Sequence, residues 1–76
     1  MTIVTINERI SKHGLKLVVQ RVYSYDTDSH KYDAYIEYYN SKREKWGILH
    51  ILGKYGSEAA ALDAAKNYLR INNYLS

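Results

Sequence analysis

The densest cluster of chemically useful side chains in this 76-residue chain is Tyr38-Tyr39-Asn40-Ser41-Lys42-Arg43-Glu44-Lys45-Trp46. Lys42, Arg43 and Lys45 crowd one short polar stretch, with aromatic residues on either side of it. Cations in such a cluster grip phosphates, and neighbouring rings can stack single-stranded bases. Lys12, His13 and Lys16 can extend the patch. The same pattern also fits a solvated loop, because charge runs commonly mark exposure, with Tyr38, Tyr39 and Trp46 simply completing a sheet surface.

Other chemistry is weakly encoded. Asp26-x-Asp28-x-His30, with Glu37 at the twelfth position, echoes a calcium loop. The glycine such a loop requires is replaced by Lys31, and Glu37 falls inside a predicted strand. His13, His30 and His50 are scattered, with no spacing that pairs them as metal ligands. There is no phosphate-cradling glycine loop, nucleophile elbow or paired-carboxylate constellation. The expectation is a non-enzymatic binding protein with no cofactor and no metal.

These side chains must be positioned by a small scaffold. The chain is one domain over residues 1–76, short enough that its core is modest. It has no cysteine, so neither disulfides nor thiolate chemistry contribute. The stretch Leu52 to Leu69 organises it. A Gly53-to-Gly56 turn ends the strands and Ser57 opens a helix as N-cap, with Glu58 at the positive end of the dipole. An alanine-rich run follows. Ala61, Leu62, Ala65, Tyr68 and Leu69 form a buried stripe, and Asp63, Lys66, Asn67 and Arg70 form the polar side. Asn72-Asn73 is the predicted stop, which places the helix over residues 57–71.

Upstream, residues 15–52 read as an antiparallel meander: strands over Leu15–Tyr25, Tyr32–Tyr39 and Trp46–Leu52, separated by Asp26-Thr27-Asp28-Ser29 and by the basic hairpin. Residues 1–14 are expected to hold a β-branched strand or arm, Thr2 to Ile6, and a turn through Lys12-His13-Gly14. The fold class is therefore α+β: a small antiparallel sheet of three to four strands packed on one C-terminal Ala-rich helix. One helix covers one sheet face. Alternation puts Ala34 and Ile36 beneath the helix and turns Asp33, Tyr35, Glu37 and Tyr39 away from it. In the last strand Ile48 and Leu52 are assigned to one side, Leu49 and Ile51 to the other.

The segment Tyr32 to Arg70 resembles the ethylene-response-factor (Apetala-type) DNA-binding domain, including its phage-borne relatives. The resemblance lies in Tyr32-Asp33-Ala34-Tyr35-Ile36, in Leu52-Gly53-Lys54-Tyr55 and in Ser57-Glu58-Ala59-Ala60-Ala61. It covers about half the chain and falls mostly on core and turn positions. It implies three antiparallel strands on one helix, with duplex DNA read through the uncovered sheet face by Arg and Trp. This sequence departs from that pattern, since Asp33, Tyr35, Glu37, Tyr39, Leu49 and Ile51 would meet the DNA. Only Arg21, with Tyr23 and Tyr25 beside it, suits a reading role.

A net charge of +3 and an isoelectric point near 9.2 are compatible with nucleic acid. Nine tyrosines, one tryptophan and no phenylalanine favour half-exposed faces and interfaces. Abundant Ile, Asn, Lys and Tyr fit an AT-rich phage or mobile-element genome. Two functions from different classes follow. The first is nucleic-acid binding through Arg21, Tyr23, Tyr39, Lys42, Arg43, Lys45 and Trp46. The second is a protein-binding effector, such as an inhibitor of a host or defence complex, acting through Tyr35, Leu49 and Ile51. The apolar face also predicts a homodimer. No signal peptide and no membrane span are legible, so a cytoplasmic location is expected, that of the host if the chain is phage-encoded.

Overall fold

The computed structural model describes residues 2–75. The element order is α1 (Ile3–Ile10), a 3-10 turn (Ser11–His13), β1 (Leu15–Ser24), β2 (Ser29–Asn40), β3 (Lys45–Tyr55) and α2 (Glu58–Ile71). The fold is α+β, a three-stranded antiparallel sheet in the order β1-β2-β3 with α2 packed on it.

The N-terminal segment corrects the sequence-based expectation. It is a helix, so the sheet has three strands and gains no fourth from Thr2–Ile6. Thr2 caps α1 by accepting from the Thr5 N–H at 3.1 Å. Ile6 and Ile10 lie one turn apart and are wholly buried. Their burial outweighs the mild helix penalty of β-branched side chains, which is about 0.7 kcal/mol at most per residue. Asn7, between them, accepts from the Leu17 N–H at 2.7 Å and donates to the Leu17 carbonyl at 3.3 Å. One amide thus satisfies an outward-facing pair on the free edge of β1 and blocks that edge against strand addition.

Ile6 and Ile10 join Leu15, Leu17, Ile36, Ala65 and Leu69 in the core. Ala34 and Ala61 are buried too. The alanine stripe lies inward as the i, i+4 spacing requires. Ser57 accepts from the Ala60 N–H at 3.1 Å as the N-cap, and Asn73 adopts the left-handed conformation just past the helix end. Among the described residues no helix is long and apolar enough to cross a membrane.

β3 continues through Gly53, Lys54 and Tyr55, which the sequence had marked as turn. It is also irregular. Tyr35 pairs with Ile51 and Ile36 with His50, yet Ala34 pairs with Gly53 and Glu37 with Ile48. Leu52 and Leu49 are the two residues slipped out of step. Gly53, at φ +128°, takes a conformation that side chains disfavour, and the Tyr55 hydroxyl donates to the Leu52 carbonyl at 2.9 Å. Each bulge reverses the parity of the strand, so Ile48 and Ile51, three residues apart, emerge on the same face. The expected placement of Ile48 under the helix is therefore corrected: it lies opposite Glu37 on the uncovered side.

Candidate functional site

Cross-strand partners share a face, so the register defines what the uncovered face presents. Beyond the Ser24–Ser29 and Val22–Lys31 pairs, Gln20, Asp33 and Lys54 form a row. Val18, Tyr35 and Ile51 come next, and then Lys16, Glu37 and Ile48. Tyr39 and Trp46 close the far end. The middle is apolar. Ile48 is 57% exposed and Ile51 67% exposed, while Tyr35 is half-buried. A shallow hollow of about 430 Å³ opens there, lined by Tyr35, Ile48 and Ile51 with Asp33 and Lys54 at the same site.

The polar groups at the ends of this face are largely matched. Lys16 Nζ is 3.5 Å from Glu37 Oε1 and 4.4 Å from the centre of the Trp46 ring. Tyr39 meets Trp46 edge-on at 5.4 Å. Asp33 and Lys54 face each other across β2 and β3. The face is thus an apolar strip between charge-balanced ends.

The second candidate is the hairpin between β2 and β3. Asn40 accepts from the Lys42 and Arg43 N–H groups at 3.1 and 3.2 Å, a side-chain turn that fixes the loop backbone. Glu44 is left-handed at φ +53° and returns the chain to Lys45, opposite Asn40. Lys42, Arg43 and Lys45 are exposed together at this tip, as the sequence implies for a loop. Tyr39 and Trp46 flank it on the uncovered side, and Tyr38 flanks it on the helix side.

Arg21 and Tyr23 do not join either group. Their β2 partners are Tyr32 and His30, and they share the parity of Leu15, Leu17 and Val19, which face the helices. They lie on the covered side of the sheet, where β1 runs past the helices, and both are exposed. The expectation that Arg21, Tyr23 and Tyr25 read a ligand from the uncovered face is thereby corrected. Tyr23 instead belongs to the β1–β2 hairpin. It packs edge-on against Tyr25 at 5.0 Å and on His30 at 5.1 Å, and its hydroxyl donates to the Asp28 carboxylate. That bond, with a smaller contribution from lost solvent, holds the Tyr23 hydroxyl above the ordinary tyrosine range.

Leu49, proposed from sequence as an interface residue, is 41% exposed at a bulge, beside the strip. Sequence reasoning missed Val18, Lys16 and Ile48 as members of this face. Counting by twos from Leu17 would have placed Val18 and Lys16, but nothing local signals the bulges that turn Ile48 outward. Each histidine packs against a tyrosine ring: His13 on Tyr74 and His30 on Tyr23 are tilted, and His50 stacks on Tyr68 at 4.2 Å, nearly parallel. Two carboxylates of the calcium-like spacing have other partners, Asp28 with Tyr23 and Glu37 with Lys16. No protein-family model, curated protein or solved structure matches the chain.

Proposed function

We propose that the chain is a non-enzymatic protein-binding module that recognises its partner through the uncovered face of the sheet. One observation carries this reading: Val18, Tyr35, Ile48 and Ile51 form a contiguous apolar surface with a hollow, where a solitary monomer would present polar residues. Covering it returns about 25 cal/mol for each Å² of apolar area removed from water. Tyr35 supplies a rigid ring of the kind enriched at binding hot spots. On this face Asp33 and Glu37 lie opposite Lys54 and Lys16, which leaves little positive charge for a phosphate backbone, and Arg21 is on the other side. The partner class is a host protein or complex, with the chain acting as an effector or inhibitor of phage or mobile-element origin. The composition rich in Ile, Asn, Lys and Tyr supports that origin. A second copy of the chain is the competing occupant.

The test is capture from nuclease-treated host lysate by the wild type and by Ile48→Lys/Ile51→Lys, with sedimentation velocity of both. A nuclease-resistant partner is captured by the wild type and lost by the variant. The variant stays folded, because substitutions at such exposed sites cost about 0.5 kcal/mol or less each. Concentration-dependent sedimentation of the wild type alone would assign the face to a second copy. A variant that captures the partner as well as the wild type removes the face from consideration.

The hairpin favours nucleic acid as a second reading, because a side-chain turn fixes Lys42 and Arg43 beside Lys45, Tyr39 and Trp46. Replacing Lys42, Arg43 and Lys45 by Ala weakens binding of every sequence by a similar factor, and each lost phosphate contact lowers the log–log salt slope by about 0.7 to 0.9. A titration at several salt concentrations measures both. A wild type that binds no probe at low salt ends this reading.

A further inference from the structure

We propose that the helix-side end of the β2–β3 hairpin holds one unstacked nucleobase with its adjoining phosphate, which makes the hairpin a single-strand site in preference to a duplex site. This rests on the nucleic-acid reading of the hairpin. The central pair is Tyr38 and Gly47, cross-strand neighbours. A Cβ placed on Gly47 would come within 3.0 Å of Tyr38 Cε1, 3.1 Å of Cζ and 3.2 Å of the hydroxyl oxygen. The missing side chain is therefore what lets the tyrosine ring lie down across the strand. One side of the ring rests on backbone, and the ring is still 38% exposed.

Beside this platform is a recess of about 120 Å³ lined by Tyr38, Gly47, Asn40, Arg43, Lys45 and Trp46. Two cations stand next to an aromatic surface, the combination that takes a base on its π-face and the phosphate beside it. Glu44 is the carboxylate of the loop, and it does not line the recess. Because the Asn40 side chain fixes the Lys42 and Arg43 backbone, less ordering is left for the ligand to impose. A base inside a duplex keeps both faces stacked on its neighbours and cannot lie on Tyr38, whereas a base in a single strand can.

Trp46 also borders the recess, while its ring lies on the opposite face of the sheet against Tyr39 and Lys16. The experiment titrates wild type, Tyr38→Ala, Tyr38→Phe, Gly47→Ala and the Lys42, Arg43 and Lys45 triple alanine variant with a labelled single-stranded oligothymidylate, a duplex, a mononucleotide and inorganic polyphosphate. Anisotropy is read, with circular dichroism to confirm folding. The wild type binds the single strand, and Tyr38→Ala weakens that binding about 5- to 150-fold, the range of one stacked base. Duplex and polyphosphate affinities change less than about two-fold, as expected for contacts that stacking does not make. Tyr38→Phe retains single-strand binding. Gly47→Ala loses it while keeping every cation, which serves if Tyr38→Ala does not fold. Mononucleotide binding with the same Tyr38 dependence identifies a nucleotide, not a strand, as the ligand and overturns the strand preference. Tyr38→Ala lowering all probes equally, or none, with the triple variant still defective, overturns the platform and leaves the cationic hairpin standing. A triple variant that binds as the wild type does overturns the hairpin reading itself.

Discussion

Ala65→Asp leaves the domain unfolded. Ala65 is wholly inaccessible, on the stripe of α2 that also buries Ala61 and Leu69, and it shares the core cluster with Leu17, Ile36 and Leu69. Among the described residues the core contains no buried polar side chain, so a carboxylate there meets neither a cation nor a donor side chain. Its added volume must also be accommodated where alanine lets the helix lie close to the sheet. An unpaired buried charge costs several kcal/mol even after relaxation. Domains carry only about 0.05 to 0.15 kcal/mol of stability per residue, so a chain this short has little to lose. Asp63→Ala is the control on the same helix. Asp63 is exposed and pairs with Lys66 at 3.3 Å, an i, i+3 contact worth about 0.5 kcal/mol at most. Circular dichroism melts of the two variants decide the matter. If both melt alike, the inward face of α2 is wrongly assigned.

How far the sequence revealed this arrangement depends on whether the determining interaction is local. The α2 helix was legible because Ser57, the alanine stripe and Asn72-Asn73 act within a few residues of themselves. The basic hairpin was legible for the same reason: Asn40 and the loop it caps are adjacent in the chain. β2 could be assigned to its faces because Ala34 and Ile36 alternate with Asp33, Tyr35 and Glu37. β3 could not, because it is apolar on both sides and its two bulges reverse the parity twice. That put Ile48 on the wrong face and hid half of the apolar strip. Arg21 and Tyr23 were misplaced by a different cause. Their polar character reads as outward-facing, whereas the ladder puts them on the helix side at a point the helices do not reach. In each case the deciding partner is distant in sequence.

Ile6→Ala gives the sharpest test of the element that the sequence misread. As part of a strand or arm at the margin of the sheet, Ile6 would have no fixed place in the core. As part of α1, Ile6 is wholly buried within the cluster that contains Ile10, Leu15, Leu17 and Leu69. Removing its outer carbons then leaves a cavity as well as lost burial, at a cost of about 2 to 5 kcal/mol. In a domain of this size each kcal/mol lowers Tm by about 4 to 8 °C, so a fall of about 8 to 40 °C is expected. Val4→Ala, on the exposed side of the same helix, shifts Tm by no more than a few degrees. The loss at Ile6 is deepened by coupling, because loosening α1 also withdraws Asn7 from Leu17 and returns an unpaired N–H and carbonyl to the edge of β1. Ile6→Ala/Ile10→Ala should therefore leave no cooperative transition at all. A thermal melt in which Ile6→Ala and Val4→Ala are indistinguishable would show that α1 is not part of the core. It would also leave the β1 edge open for strand addition from Leu17 onward.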